Sequence, residues 1–166
     1  MMRVLGLDPG TATTGWGVVD GDGDTLRLVE YGVILTPADT PMPERLRLIY
    51  LRLTEVLARW QVAAVSVEKL FFNKNVRTAL SVGQGRGVAL LTAANAGVPV
   101  FEYTPLEVKQ AIVGYGRATK DQVQQMVRMM LELDHIPQPD DAADALAIAM
   151  CHLQSARMRA VYDSVE

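Results

Sequence analysis

The chain has 166 residues, 49% of them hydrophobic and 21% charged, an ordinary globular composition that can bury the core of one domain. A formal net charge of −3 argues against a wholly basic nucleic-acid protein, and the single cysteine, Cys151, rules out an intrachain disulfide. No basic-then-apolar leader opens the sequence, and polar residues, Gly or Pro break every apolar stretch well before the ~20 residues of a membrane span. A soluble, cytoplasmic protein with no membrane partner is expected.

Three strands are expected first, at residues 3–8, 15–20 and 27–35, joined by "PGTATT" and "GDGD" turns into an antiparallel meander. "DGDGDT" at 20–25 imitates the start of an EF-hand loop but has Thr25 where the sixth-place Gly belongs and Tyr31 where the bidentate Glu belongs, so a hairpin turn explains it better. After the link at 36–43, Leu46, Ile49, Leu53, Val56 and Leu57 recur at helical spacing. "VAAVSVEKL" is apolar without alternation, the mark of a strand buried on both faces. A helix over 75–96, a strand at 98–103, helices near 104–113 and 119–133, and a last helix from Pro139-Asp140 complete a mixed α/β sheet with helices on its faces. Residues 1–156 read as one domain and 157–166 as a flexible tail. Cys151, set in "ALAIAMCHL", reads as a buried thiol.

Charge is distributed unevenly. Residues 69–120 carry Lys69, Lys74, Arg77, Arg86, Lys109, Arg117 and Lys120 against only Glu102 and Glu107. Such a segment suits phosphates, although a solvated face is an equal alternative on this ground alone. "GQGRG" at 83–87 matches neither the dinucleotide pattern nor the P-loop. Its three glycines cost a helix about 1 kcal/mol each relative to alanine, a cost that close approach of another backbone offsets. Gly83, Gly85 and Gly87 therefore mark a packing or dimer surface.

The acidic positions carry the chemistry. Asp8 and Glu68 each end an apolar strand, at the edge where open α/β sheets place ligands. Asp141 and Asp144 lie three apart near a helix start and share a face. Capping and dipole compensation are an even alternative for Asp140 and Asp141, and an Asp-Pro-Gly turn is one for Asp8. Neither covers Asp144. Four carboxylates brought together repel, and divalent cations relieve that repulsion. Oxygen donors with almost no histidine select Mg²⁺, with Mn²⁺ able to substitute, over Zn²⁺. Two such ions about 3.5–4 Å apart activate water and stabilise the leaving oxygen of a phosphodiester.

Together "LGLDPGTATTGWGVV", "VSVEKLFFNKNVRTALSVGQGRG", "EYTPLEVKQAIVGYGRATKDQV" and "DDAADALAIAMCHL" resemble the bacterial RuvC Holliday-junction resolvases, over roughly residues 2–155. The resemblance implies a ribonuclease H-like, five-stranded mixed sheet flanked by helices. It also implies a homodimer that nicks two like strands of four-way junction DNA symmetrically, working with a junction-binding and branch-migration motor complex of the RuvA and RuvB type. On that pattern Asp8, Glu68, Asp141 and Asp144 match the metal-binding and catalytic tetrad, with two Mg²⁺ per site. Phe71 matches the aromatic set against unstacked junction bases, and Lys109 and Lys120 match functional lysines, Lys120 being placed with the catalytic residues. The DNA-contacting set is then Phe71, Phe72, Lys74, Asn75, Arg77, Lys109, Arg117 and Lys120.

"LGLDPGT" also resembles the first phosphate loop of actin-like ATPases and sugar kinases, which pair two such domains and carry further nucleotide motifs. A junction-binding homologue without catalysis is a third possibility, and a ribonuclease acting on RNA–DNA hybrids is a fourth.

Overall fold

The structure, a computed structural model, describes residues 1–22, 24–69 and 76–165. Strands β1 (Met2–Asp8), β2 (Thr13–Asp22) and β3 (Thr25–Leu35) are followed by helix α1 (Met42–Trp60), strand β4 (Ala64–Glu68), helix α2 (Val76–Asn95) and strand β5 (Val100–Tyr103). Helices α3 (Pro105–Ile112), α4 (Lys120–Met130) and α5 (Asp140–Asp163) end the chain. The sheet order is β3-β2-β1-β4-β5. The meander is antiparallel, whereas β1 pairs β4 and β4 pairs β5 in parallel. "DGDGDT" is a hairpin: β2 and β3 stay paired as far as Asp22 opposite Thr25.

One apolar layer lies under α1 and α2, where Ile49, Leu53 and Leu57 meet Leu5, Leu7, Val18, Val65 and Val67. The other lies under α3, α4 and α5. Alternate residues of β1 serve opposite layers, and β4 is buried through Ala64–Val67, as its unbroken apolarity predicts. Asp20, which reads as turn chemistry, is instead buried, and its carboxylate takes hydrogen bonds from Arg3 at 2.7 and 2.9 Å.

Helix α5 lies almost directly on the sheet. A Cβ at Gly6 would collide with the Ala145 carbonyl, one at Gly15 with the Asp141 carbonyl, and one at Gly17 would come 2.5 Å from Leu146 Cδ2. Ser66, fully buried in β4, donates a hydrogen bond to the Ile148 carbonyl at 2.9 Å. From Ala145 to Leu153 the helix is buried on every side, which only a helix pressed between a sheet and other helices can be. Helix α5 continues through the segment read as a flexible tail, with residues 157–163 exposed and Arg157 ion-paired to Asp24. Among the described residues no helix is long and apolar enough to cross a membrane.

The three glycines of α2 divide. Gly85 is buried, and a Cβ there would lie 3.0 Å from the Gly10 carbonyl oxygen of the same chain, so its close backbone approach is internal rather than to a second subunit. Gly83 and Gly87 have nothing within 4 Å of the corresponding point.

Overpacking a close contact costs about 1–3 kcal/mol, and more where backbone cannot move. Gly6→Ala and Gly15→Ala should therefore each lose roughly 3 kcal/mol or more in urea unfolding. Gly21→Ala meets only the flexible end of Leu153, at 2.8 Å, and should cost under about 1 kcal/mol.

Candidate active site

Asp8 and Glu68 are the last residues of β1 and β4, adjacent parallel strands whose register sets Leu7 beside Val67. Their carboxylates therefore leave the same sheet edge about one strand spacing, ~4.8 Å, apart. The glycine bed under α5 brings that helix's first turn to this edge. It sets the Asp141 carbonyl over Gly15, which pairs with Asp8 across β1 and β2. Asp144 follows one turn on.

These carboxylates act on one another. Burial pushes the Asp8 carboxyl up to about 8, reinforced by the charges of Asp144, Asp141 and Glu68, and the protonated form hydrogen-bonds Asp141. Glu68 is raised by burial and by Asp144, with Lys109 and Arg86 opposing. Asp144 is raised by burial, against the pull of Lys120. Lys120 Nζ lies 3.5 Å from Asp144 and 3.4 Å from Asp140. Burial works against its charge, but these acids outweigh it and raise its pKa. Lys120 is placed by a capping box, in which the Thr119 hydroxyl accepts from the Gln122 amide and Gln122 accepts from Thr119. Asp140 accepts from Gln124 and pairs with Lys120 rather than capping α5 through its side chain.

Two depressions flank the acids. A cleft of about 280 Å³ is lined by Glu68, Asp144, Lys109 and Lys120 over a floor of Val108, Val123 and Ile148. An open groove of about 480 Å³ is lined by Gly10–Thr13, Arg77, Thr78, Ser81, Val82 and Asp141. Lys109, Lys120 and Arg77 thus stand beside the carboxylates, and Arg117 is exposed in the link between α3 and α4. Phe71, Phe72, Lys74 and Asn75 lie outside the described residues. Among the described residues, no three His, Cys, Asp or Glu side chains form a ready coordination group. The donor chemistry is nonetheless carboxylate oxygen alone, with the charges of Asp144, Asp141 and Glu68 adding to burial at Asp8, and it fits hard divalent cations.

The sequence gives little warning of Arg86. Counted there among bases facing phosphate, it is largely buried, ion-paired with Glu102, and donates to the Glu68 carbonyl at 2.5 Å. An arginine among helix glycines, where no neighbouring bulk keeps it out, was the available signal. Cys151 is buried, and burial pushes its thiol up to about 12, as befits packing rather than reaction.

Comparison with known proteins bears on the whole chain. The family described as "Crossover junction endodeoxyribonuclease RuvC" matches residues 4–152. The proteins of that name from Chloroflexus aggregans and Rubrobacter xylanophilus are each 60% identical to it. The first match covers 93% of this chain and 94% of the relative, and the second 95% and 88%. RuvC of Thermus thermophilus in complex with a Holliday junction substrate superposes with a TM-score of 0.92 at 44% identity, over 96% of this chain and 97% of that one. The yeast mitochondrial resolvase Ydc2, at 12% identity and a TM-score of 0.68, shares the fold. Agreement of this extent, on a sheet whose acidic strand ends are those expected from the sequence, places the chain in the crossover junction endodeoxyribonuclease RuvC family.

Proposed function

We propose that this chain resolves four-way DNA junctions by metal-dependent hydrolysis of phosphodiesters, nicking two like strands symmetrically in recombination and repair. One observation carries the reading: three separate elements bring Asp8, Glu68, Asp141 and Asp144 to a single sheet edge, where burial and the charges of the other three push the Asp8 carboxyl up to about 8. Asp8, Glu68, Asp141 and Asp144 would hold the cations, two Mg²⁺ by the family resemblance, with Mn²⁺ able to replace them. When bound, such ions supply an activated water and charge stabilisation at the leaving oxygen.

The protein's own groups do the rest. Lys120 and Lys109 line the cleft beside Glu68 and Asp144, where an ammonium meets a phosphate oxygen as a point charge. Arg77 lines the groove on the Asp141 side, so cationic groups flank the acids on both sides and a phosphate chain can cross the site. Phe71 and Phe72, with Lys74, Asn75, Arg77 and Arg117, complete the DNA-contacting set. In that reading an aromatic ring stacks on a base exposed at the junction, worth about 1–3 kcal/mol and insensitive to salt. Residues 1–156 act as one nuclease domain in the cytoplasm, together with a junction-binding and branch-migration motor of the RuvA and RuvB type.

Symmetric nicking needs two sites, and α2 offers the contact. Val76, Leu80, Gly83, Gly87 and Leu91 fall on one face by their spacing. The three large side chains are 80%, 64% and 56% exposed, and Gly83 and Gly87 open onto free space. Gly85, Ala89 and Thr92 are buried on the opposite face. An apolar stripe with two glycines lets a second copy of the helix approach closely across a two-fold axis. Leu80→Glu should therefore turn a dimer into a monomer at micromolar concentration, read by analytical ultracentrifugation.

Asp8→Asn should abolish Mg²⁺-dependent nicking of a synthetic four-way junction while binding in EDTA is kept or strengthened, because a negative charge near phosphate is lost. The pH response follows from the same carboxyl. Asp8 is raised from 3.8 to about 8 in the fold, so the folded protein binds the extra proton, and stability present below about pH 4 is lost as pH rises towards 8. Glu68 and Asp144 are shifted in the same direction. The lowered pKa of Asp20, set by its hydrogen bond to Arg3, acts only below this window. Buried His152, with its pKa lowered, opposes this as pH passes its ordinary value of 6.5, but three carboxyls shifted the other way outweigh it, and in EDTA the melting temperature should fall between pH 5 and 8. Excess Mg²⁺ should reverse the fall, and Asp8→Asn should remove much of it.

A further inference from the structure

The turn that follows Asp8 is held from several directions. The Thr14 hydroxyl donates to the Gly10 carbonyl at 2.7 Å, and the Thr36 hydroxyl donates to the Thr11 carbonyl while accepting from Arg45 Nε at 2.9 Å. The Thr11 hydroxyl, in turn, lies 2.6 Å from the Ser81 hydroxyl in α2. Five residues further along α2, Arg86 donates to the Glu68 carbonyl at 2.5 Å, and between the two attachments Gly85 brings the helix backbone against Gly10. One helix therefore grips the chain just past Asp8 and the chain at Glu68, the ends of two strands that hydrogen bonding joins only as far as Leu7 and Val67.

We propose that Ser81 and Arg86 are positioning residues that fix the separation of the Asp8 and Glu68 carboxylates through α2. This rests on the reading of those carboxylates as metal ligands. Neither side chain need touch DNA or cation. Ser81 acts through Thr11 and Arg86 through a main-chain carbonyl. Supports behind metal ligands are commonly worth about 10- to 100-fold in metal affinity or activity.

The test uses the full chain. Mn²⁺ binding is followed by titration calorimetry without DNA, and single-turnover nicking is followed at saturating four-way junction. Ser81→Ala and Arg86→Met should each weaken Mn²⁺ binding and slow nicking about tenfold, a larger factor than any change in junction affinity in EDTA. Thr11→Val should match Ser81→Ala, their combination should fall no further than either alone, and Thr11→Ser should restore both readouts. Wild-type Mn²⁺ affinity in Ser81→Ala and Arg86→Met, or additive losses in the Thr11/Ser81 pair, would overturn the proposal. A loss of Mn²⁺ binding that merely follows a fall in melting temperature and junction affinity would also overturn it. Should Arg86→Met fail to fold, the Thr11/Ser81 cycle decides alone. Asp8→Asn separates the two readings. If it binds Mn²⁺ like the wild type, the metal assignment itself fails; if it loses binding while Ser81→Ala and Arg86→Met keep it, only the positioning role fails.

Discussion

The structure depends on how closely α5 lies on the first two strands. Gly6 and Gly15 leave no side chain where the Ala145 and Asp141 carbonyls sit, and Gly17 makes room for Leu146. The hydroxyl of Ser66 supplies a hydrogen bond to α5 from the neighbouring strand. Raising the helix by the thickness of one methyl group would carry Asp141 and Asp144 away from Asp8 and Glu68 together. The contact that fills the core is thus the contact that assembles the acids, and packing this dense does not deform gradually.

The assembled acids are a cost that the rest of the molecule carries. Asp8 is half-buried among three other carboxyls, and its proton affinity rises accordingly. Natural active sites concentrate perturbed groups of this kind because their arrangement is set by chemistry rather than by stability. Lys120 beside Asp144, and Lys109 and Arg86 near Glu68, lower the local charge without cancelling it.

Helix α2 packs into the core on one face, exposes an apolar stripe on another, and is tied to the chain beside Asp8 and at Glu68. A helix with small residues on two faces can do all of these because its backbone is open to close approach on both. This is why its sequence looks poor in helix formers and yet forms twenty residues of helix.

By itself the sequence determined where strands end and helices begin, because periodicity, turn residues and acidic first turns are local properties. It therefore put Asp8 and Glu68 at strand termini and Asp141 and Asp144 on one helical face, and four ordered motifs carried the family. Only the tertiary structure decided what local chemistry leaves open. Gly85 faces inward, onto the Gly10 carbonyl near the start of the chain, while Gly83 and Gly87, two residues to either side, face outward. Arg86 turns from phosphate to the Glu68 carbonyl, and Asp20 leaves an apparent turn to be buried against Arg3. The tie between Thr11 and Ser81 joins two hydroxyls that nothing in their local sequence sets apart. A residue's type and spacing specify which face it occupies, but the element that covers that face is chosen by packing across the whole chain.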